Sequence, residues 1–203
     1  VVIRDDEYRC KELFFTTQVN KRDYLLGRLT GAYGVSFATL VFVSLGMYLG
    51  TVMPSVDAER LGPQNLLHYC YVLIVVVAPN IGFAAALSFA LATLSRSLMW
   101  SYVGIVCFIL LYGVTQNLLG QPEYRTLASL LDPFGAAAYS EVVRYWTPFE
   151  RNQWVVPLEG IFLINRLLWL AISGLLIAFT YWKFSVSLER SATRSKQSDQ
   201  ALD

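Results

Sequence analysis

The sequence predicts an all-α, polytopic membrane protein. It places four transmembrane helices after an amphipathic segment, with a partly helical loop between the last two. Three observations carry that prediction. The chain of 203 residues is 55% hydrophobic and 15% charged, against a charged share of about 25% in ordinary soluble domains, and its mean hydropathy is +0.46. The charges are also segregated: residues 29–56, 61–95, 97–122 and 167–182 contain no Asp, Glu, Lys or Arg. Each run is close to or above the ~20 apolar residues that cross ~30 Å of hydrocarbon. In that medium an open strand edge has nothing to bond with, so the spans are helices.

The first element is residues 1–28, which lead straight into the first apolar run. Arg28 is the last charge before Asp57. Leu13, Phe14 and Val19, then Leu25, Leu26 and Leu29, recur at helical spacing with charges between them. Such a segment either lies on a membrane surface or presents itself to a partner in the cytoplasm. Four spans follow, at about 29–53, 66–94, 98–119 and 161–182, within a membrane unit of 29–182. Placing both termini in the cytoplasm puts eleven of the sixteen Lys and Arg inside and leaves Arg60, Arg125, Arg144, Arg151 and Arg166 outside. That is the bias of the positive-inside rule.

The first span carries Gly27-x-x-x-Gly31 and Gly46-x-x-x-Gly50, small-residue spacings that permit close helix approach in lipid or simply reflect how common Gly is there. In the second span Pro79 bends the helix, and Asn80 faces another helix or a polar path, since it is costly against lipid. Residues 94–97 form a tight cytoplasmic turn around Arg96. The outer loop, 120–160, opens its helical part at Asp132-Pro133, an N-cap followed by Pro at the first helical position. Its helix is expected over 134–146, at the membrane interface with Tyr139, Tyr145, Trp146, Phe149 and Trp154. Arg166 either snorkels to the outer headgroups, the favoured reading, or turns inward toward an acid such as Glu159. After Trp182 the tail 183–203 is polar and expected to be disordered.

Several function classes drop out. The spans hold no carboxylate for intramembrane hydrolysis or proton relay. HExxH, a phosphate-binding Gly-rich loop and GxSxG are absent, and no basic, aromatic-interleaved patch points to nucleic acid. Cys10, Cys70 and Cys107 lack metal-ligand spacing and read as unpaired thiols. His68, the lone histidine, reads as an interfacial residue.

The run Arg9-x-Lys11-Glu12-Leu13-Phe14-x-Thr16-Thr17-x-Val19, continued by Lys21-Arg22-Asp23-Tyr24-Leu25-Leu26-Gly27-Arg28, resembles the cytoplasmic segment of bacterial ABC transporter permeases of the type-2 exporter class. Leu131-Asp132-Pro133-Phe134-Gly135, Arg144-Tyr145-Trp146-Thr147 and Asn165-Arg166-Leu167-Leu168-Trp169 resemble a branch of that class sometimes fused to a zinc aminopeptidase. Two departures stand out: Gln18 replaces the family's usual Pro, and four spans are present where the family has six.

The resemblance implies that the chain begins at the end of span two and carries spans three to six. It implies a multi-pass protein of the bacterial inner membrane whose residues 1–28 hold the coupling helix. An ABC ATP-binding subunit would dock there on Leu13, Phe14, Phe15 and Val19, rimmed by Lys11, Glu12, Lys21 and Arg22. A second permease unit, identical or different, would complete the path. ATP and magnesium would belong to the partner, with no cofactor or catalytic residue in this chain. Asn80, Gln116 and Asn117 are the candidate path-lining residues. The alternative is a membrane anchor or assembly scaffold for a domain such as a fused peptidase.

Overall fold

The computed structural model describes residues 21–53, 65–95 and 97–199. Its helices are α1 (Lys21–Thr51), α2 (Leu66–Ser95), α3 (Leu98–Leu119), α4 (Arg125–Leu131), α5 (Ala136–Val142), α6 (Pro148–Gln153) and α7 (Gly160–Asp199). No strand occurs among the described residues. Helices α1, α2, α3 and α7 are long and apolar enough to cross a membrane, as expected from the charge-free runs.

Three boundaries differ from expectation, each for a local reason. Helix α1 starts at Lys21 rather than near Leu29, because its polar first turns and the apolar run form one uninterrupted rod. Helix α7 runs on to Asp199, so the tail expected to be disordered is helical through that residue. No Gly or Pro follows Gly174 to stop the helix. In α2 the expected disturbance at Pro79 lies upstream of it. Residues Val72–Val77 are π-helical, and the Ala78 N–H bonds the Leu73 carbonyl, five residues back. The ladder has widened just before the residue that has no N–H to give.

Helix α2 is the centre of the bundle, packed against α1, α3 and most extensively α7. Small residues make this possible: Ala86 and Ala90 are fully buried on it. Phe83 beside them stacks on Phe108 of α3 (5.0 Å) and meets Trp169 of α7 edge-on (4.7 Å). Helix α1, by contrast, is exposed along its apolar stretch. It is rooted at its start, where Tyr24, Leu25 and Leu29 are buried. A Cβ placed on Gly27, Gly31, Gly46 or Gly50 would meet nothing within 4 Å, so neither glycine pair makes a close helix contact within this chain.

The loop after α3 is more structured than a single interfacial helix. A 3-10 turn, Pro122–Tyr124, leads into α4, which the sequence reading did not anticipate. Asp132 and Pro133 then fall in the turn between α4 and α5 rather than at the N-cap and first position of a helix. The residue at the start of α5 is Gly135, with φ +74°, a left-handed conformation that favours Gly. Thr147 opens α6 with a capping box. It accepts from the Glu150 N–H, the Glu150 carboxylate accepts from the Thr147 N–H, and Pro148 occupies the first turn.

Candidate functional site

The turn between α4 and α5 does not stay at the rim of the bundle. Phe134 at its tip packs against Phe108 with tilted rings (4.8 Å) and meets Tyr112 edge-on (5.1 Å), both on α3. Its carbonyl accepts from Asn80 Nδ2 (3.2 Å). Phe108 is at the middle of α3 and Asn80 at the middle of α2, so the tip reaches half the depth of two spans. Backbone that leaves helical geometry at that depth survives only when protein supplies its bonds. The residues that supply them form a polar clasp.

Helix α4 ends in the interior, and its last carbonyls have no helical partner. Asn165, fully buried on α7, donates Nδ2 to the carbonyls of Ser129 (2.7 Å) and Asp132 (2.8 Å). One turn on, Trp169 Nε1 donates to the Leu130 carbonyl (3.1 Å). Helix α5 starts in the interior with the opposite need, for acceptors. Asp132, also fully buried, supplies both: Oδ1 accepts from the Phe134 N–H (2.9 Å) and Oδ2 from the Ala137 N–H (2.6 Å). One carboxylate and one carboxamide thus close the two helix ends that the turn creates.

Arg166 locks the two together. Its side chain is 3% exposed, so it does not snorkel to headgroups, and its partner is not Glu159. It donates Nε (3.1 Å) and Nη2 (2.7 Å) to Asn165 Oδ1, and Nη1 to Asn80 Oδ1 (3.0 Å). Asp132 supplies the opposite charge nearby. The guanidinium lies directly under Gly135, where a Cβ would collide with Nη2. Gly135 is therefore required twice, for its positive φ and for the close approach of Arg166. A buried charge of this kind is costly unless its donors are satisfied, and Asn165 and Asn80 supply the acceptors here.

The second candidate region is the root of α1. Tyr24 and Leu25 form a buried cluster with Phe89 of α2 and Tyr181 of α7. Arg22, exposed at the start of the helix, donates Nε to the Tyr181 hydroxyl (3.0 Å) and lies over that ring. A cavity of about 320 Å³ opens beside this contact, lined by Leu25, Leu29, Phe89 and Ile177 among others.

The residues expected to carry function are distributed as follows. Lys11, Glu12, Leu13, Phe14, Phe15 and Val19 lie outside the described residues, as does Cys10. Lys21 is the first residue of α1 and Arg22 the second. Asn80 is half-buried with its amide bonded inside the protein. Gln116 and Asn117 are exposed on α3, and Asn117 Nδ2 donates to the Gly113 carbonyl of its own helix (2.8 Å). The three are not joined by hydrogen bonds into one polar strip. His68 lines a small cavity of about 110 Å³ with Tyr71, Trp154 and Phe162. Cys70 and Cys107 are free and exposed. No group of His, Cys, Asp and Glu suited to a metal occurs among the described residues. The sequence reading missed the roles of Asn165, Asp132 and Gly135. The available signal was an Arg-amide pair inside an apolar run together with a buried-looking Asp-Pro-x-Gly turn.

No family model, curated protein or solved structure matches this chain.

Proposed function

We propose that this chain is the membrane-spanning permease unit of an ATP-driven exporter of the bacterial inner membrane. ATP is hydrolysed by a separate subunit that docks on the segment ahead of α1, and a second permease unit completes the path. The observation that carries this reading is the contrast within α1. The helix is rooted at Tyr24, Leu25 and Leu29 and exposed along the rest of its apolar length. Further along, Tyr33 and Tyr48 still touch α2 at Ala78 and Tyr69, and a helix packed most deeply at the end beside a charged, amphipathic segment is suited to act as a lever. Its contacts with Phe89 and Tyr181 pass the displacement to α2 and α7. The clasp keeps the turn at mid-bundle fixed relative to α2 and α7 while the root moves. In this reading Arg22 and the root end face the cytoplasm, and α4–α6 enter from the outer side.

A second reading is favoured by Asn80. Its amide is committed to Arg166 and the Phe134 carbonyl, which serves a rigid membrane anchor or scaffold as well as a transporter. Affinity purification of the full-length protein from its native membrane separates the two. The exporter reading predicts a stoichiometric ATP-binding subunit and two permease units per complex. Recovery of this protein without an ATPase supports the anchor.

A further inference from the structure

Helix α2 is held at two places, one on each side of its π-helical stretch Val72–Val77. Ahead of the stretch, the Tyr71 hydroxyl donates to the Val156 carbonyl of the loop, and Tyr69 meets Tyr48 of α1 edge-on (5.6 Å). Beyond it, Asn80 is tied to Arg166 and to the Phe134 carbonyl, and Phe83, Ala86 and Ala90 are buried in the bundle. A ladder of five-residue hydrogen bonds takes up an extra residue compared with the four-residue ladder of an α-helix. Between Tyr71 and Asn80 the chain therefore holds one residue too many for an α-helix, and with both ends fixed the ladder widens. With the Tyr71 end released, the surplus passes into an α ladder instead. Residues Leu66–Tyr71 then turn by about 100° and move by about 1.5 Å, one α-helical step.

The two holds are unequal. Asn80 is bonded to a buried guanidinium, and bonds to a charged group are stronger than neutral ones. The Tyr71 end rests on one neutral hydroxyl bond and on Val75 and Val76, which pack against Val143, Val156 and Phe162. That contact is incompletely filled, with a cavity of about 110 Å³ between Tyr71 and Val76 of α2 and Trp154 and Phe162. A gap forfeits dispersion contacts on both its sides, so the loop is held least firmly where the register of α2 is set. We propose that α2 is a two-register switch. Val72–Val77 is π-helical while Tyr71 holds Val156 and turns α-helical when that contact opens, which frees the loop from the Leu66–Tyr71 end. The switch is a property of α2 and the loop alone. Its test needs neither an ATPase nor a substrate, and so stands apart from the exporter reading.

The test is double electron–electron resonance on the full chain in lipid nanodiscs. Nitroxides are placed on cysteines at Leu67 and Gln153, both exposed, in a background without native cysteines. Wild type should show two distances, the minor one from the opened register. Tyr71→Phe should raise the minor population about fivefold, the equivalent of the ~1 kcal/mol one neutral hydrogen bond contributes. Deleting Ile74 or Val72, both exposed, removes the surplus residue, so α2 is α-helical with both ends in place and only the closed distance should remain. Either deletion serves once its thermal midpoint shows a folded protein, and should neither fold, Tyr71→Phe decides alone. A single distance in both wild type and Tyr71→Phe overturns the proposal, as does a minor population that Tyr71→Phe leaves unchanged. A second distance that persists in a folded deletion variant overturns it too, because it reports fraying of Leu66–Tyr71 rather than a change of register.

Discussion

Replacing Gly135 with Ala tests the clasp, because the structure contains its own control. Both Gly135 (φ +74°) and Gly160 (φ +54°) hold left-handed backbone. A Cβ at Gly160 meets nothing within 4 Å, whereas at Gly135 it collides with the Arg166 guanidinium. The backbone cost of Ala in that region is about 1–2 kcal/mol, offset by roughly 0.4–1 kcal/mol from the stiffer unfolded chain. Gly160→Ala should therefore lose on the order of 1 kcal/mol. Gly135→Ala must also move Arg166 off Asn80 and Asn165, and hydrogen bonds to a charged group contribute about 1.5–3 kcal/mol each. Its total loss should be on the order of 4–6 kcal/mol. At roughly 2–4 °C per kcal/mol for a chain of this size, Gly135→Ala should lower the thermal midpoint in detergent by ~10 °C or more. Gly160→Ala should lower it by only ~2–4 °C on the same conversion. In an Arg166→Gln background the penalty for Gly135→Ala should shrink toward that of Gly160→Ala, as expected for coupled neighbours. Equal shifts for the two glycines, or an unchanged penalty in that background, would refute the clasp.

Asn80→Leu removes the acceptor for Arg166 Nη1 and should cost about 1–3 kcal/mol, read as a lowered midpoint, whereas Asn80→Asp retains an acceptor and should cost less. Thr147→Ala breaks the capping box of α6 and should cost about 1 kcal/mol locally. Amide exchange of 148–153 should rise about fivefold with the global midpoint unchanged. Cysteines introduced at Gln153 and Ser95, in a background without native cysteines, report topology: an impermeant reagent on intact cells should label the first and not the second.

The four spans were legible because hydrocarbon leaves a one-dimensional signature: long runs without charge, at 29–56, 61–95, 97–122 and 167–182. The loop was legible only in part, and Arg166 shows why. An Arg in the second turn of a span reads as a snorkelling residue unless acceptors are known to surround it. One acceptor, Asn165, is its neighbour, but the others are Asn80, 86 residues away, and the Pro133 carbonyl, 33 residues away. Local pattern cannot show such pairings. Asp132-Pro133 misled in the same way. Asp132 does serve a helix start, but by reaching Ala137 across a left-handed Gly135 rather than by standing immediately before Pro. The capping box at Thr147 and Glu150 had a fully local signal, Thr-Pro-x-Glu, which the sequence reading did not use. At the other end of the bundle, the exposed wall of α1 was not legible at all. Its even apolar composition gives no facing stripe to read.

The central claim is that movement of a docked ATPase reaches the bundle through the segment ahead of α1. The most direct measurement is the paired change Phe14→Ala and Phe15→Ala, with insertion, partner retention and ATP-dependent transport measured on one preparation. A buried Phe contributes roughly 1.5–3 kcal/mol, and docking energy concentrates in a few such anchors. The account predicts normal membrane insertion, loss of the ATP-binding subunit and loss of ATP-dependent transport, while Lys21→Ala leaves all three close to wild type. A double variant that inserts normally and still holds and couples its ATPase would contradict it.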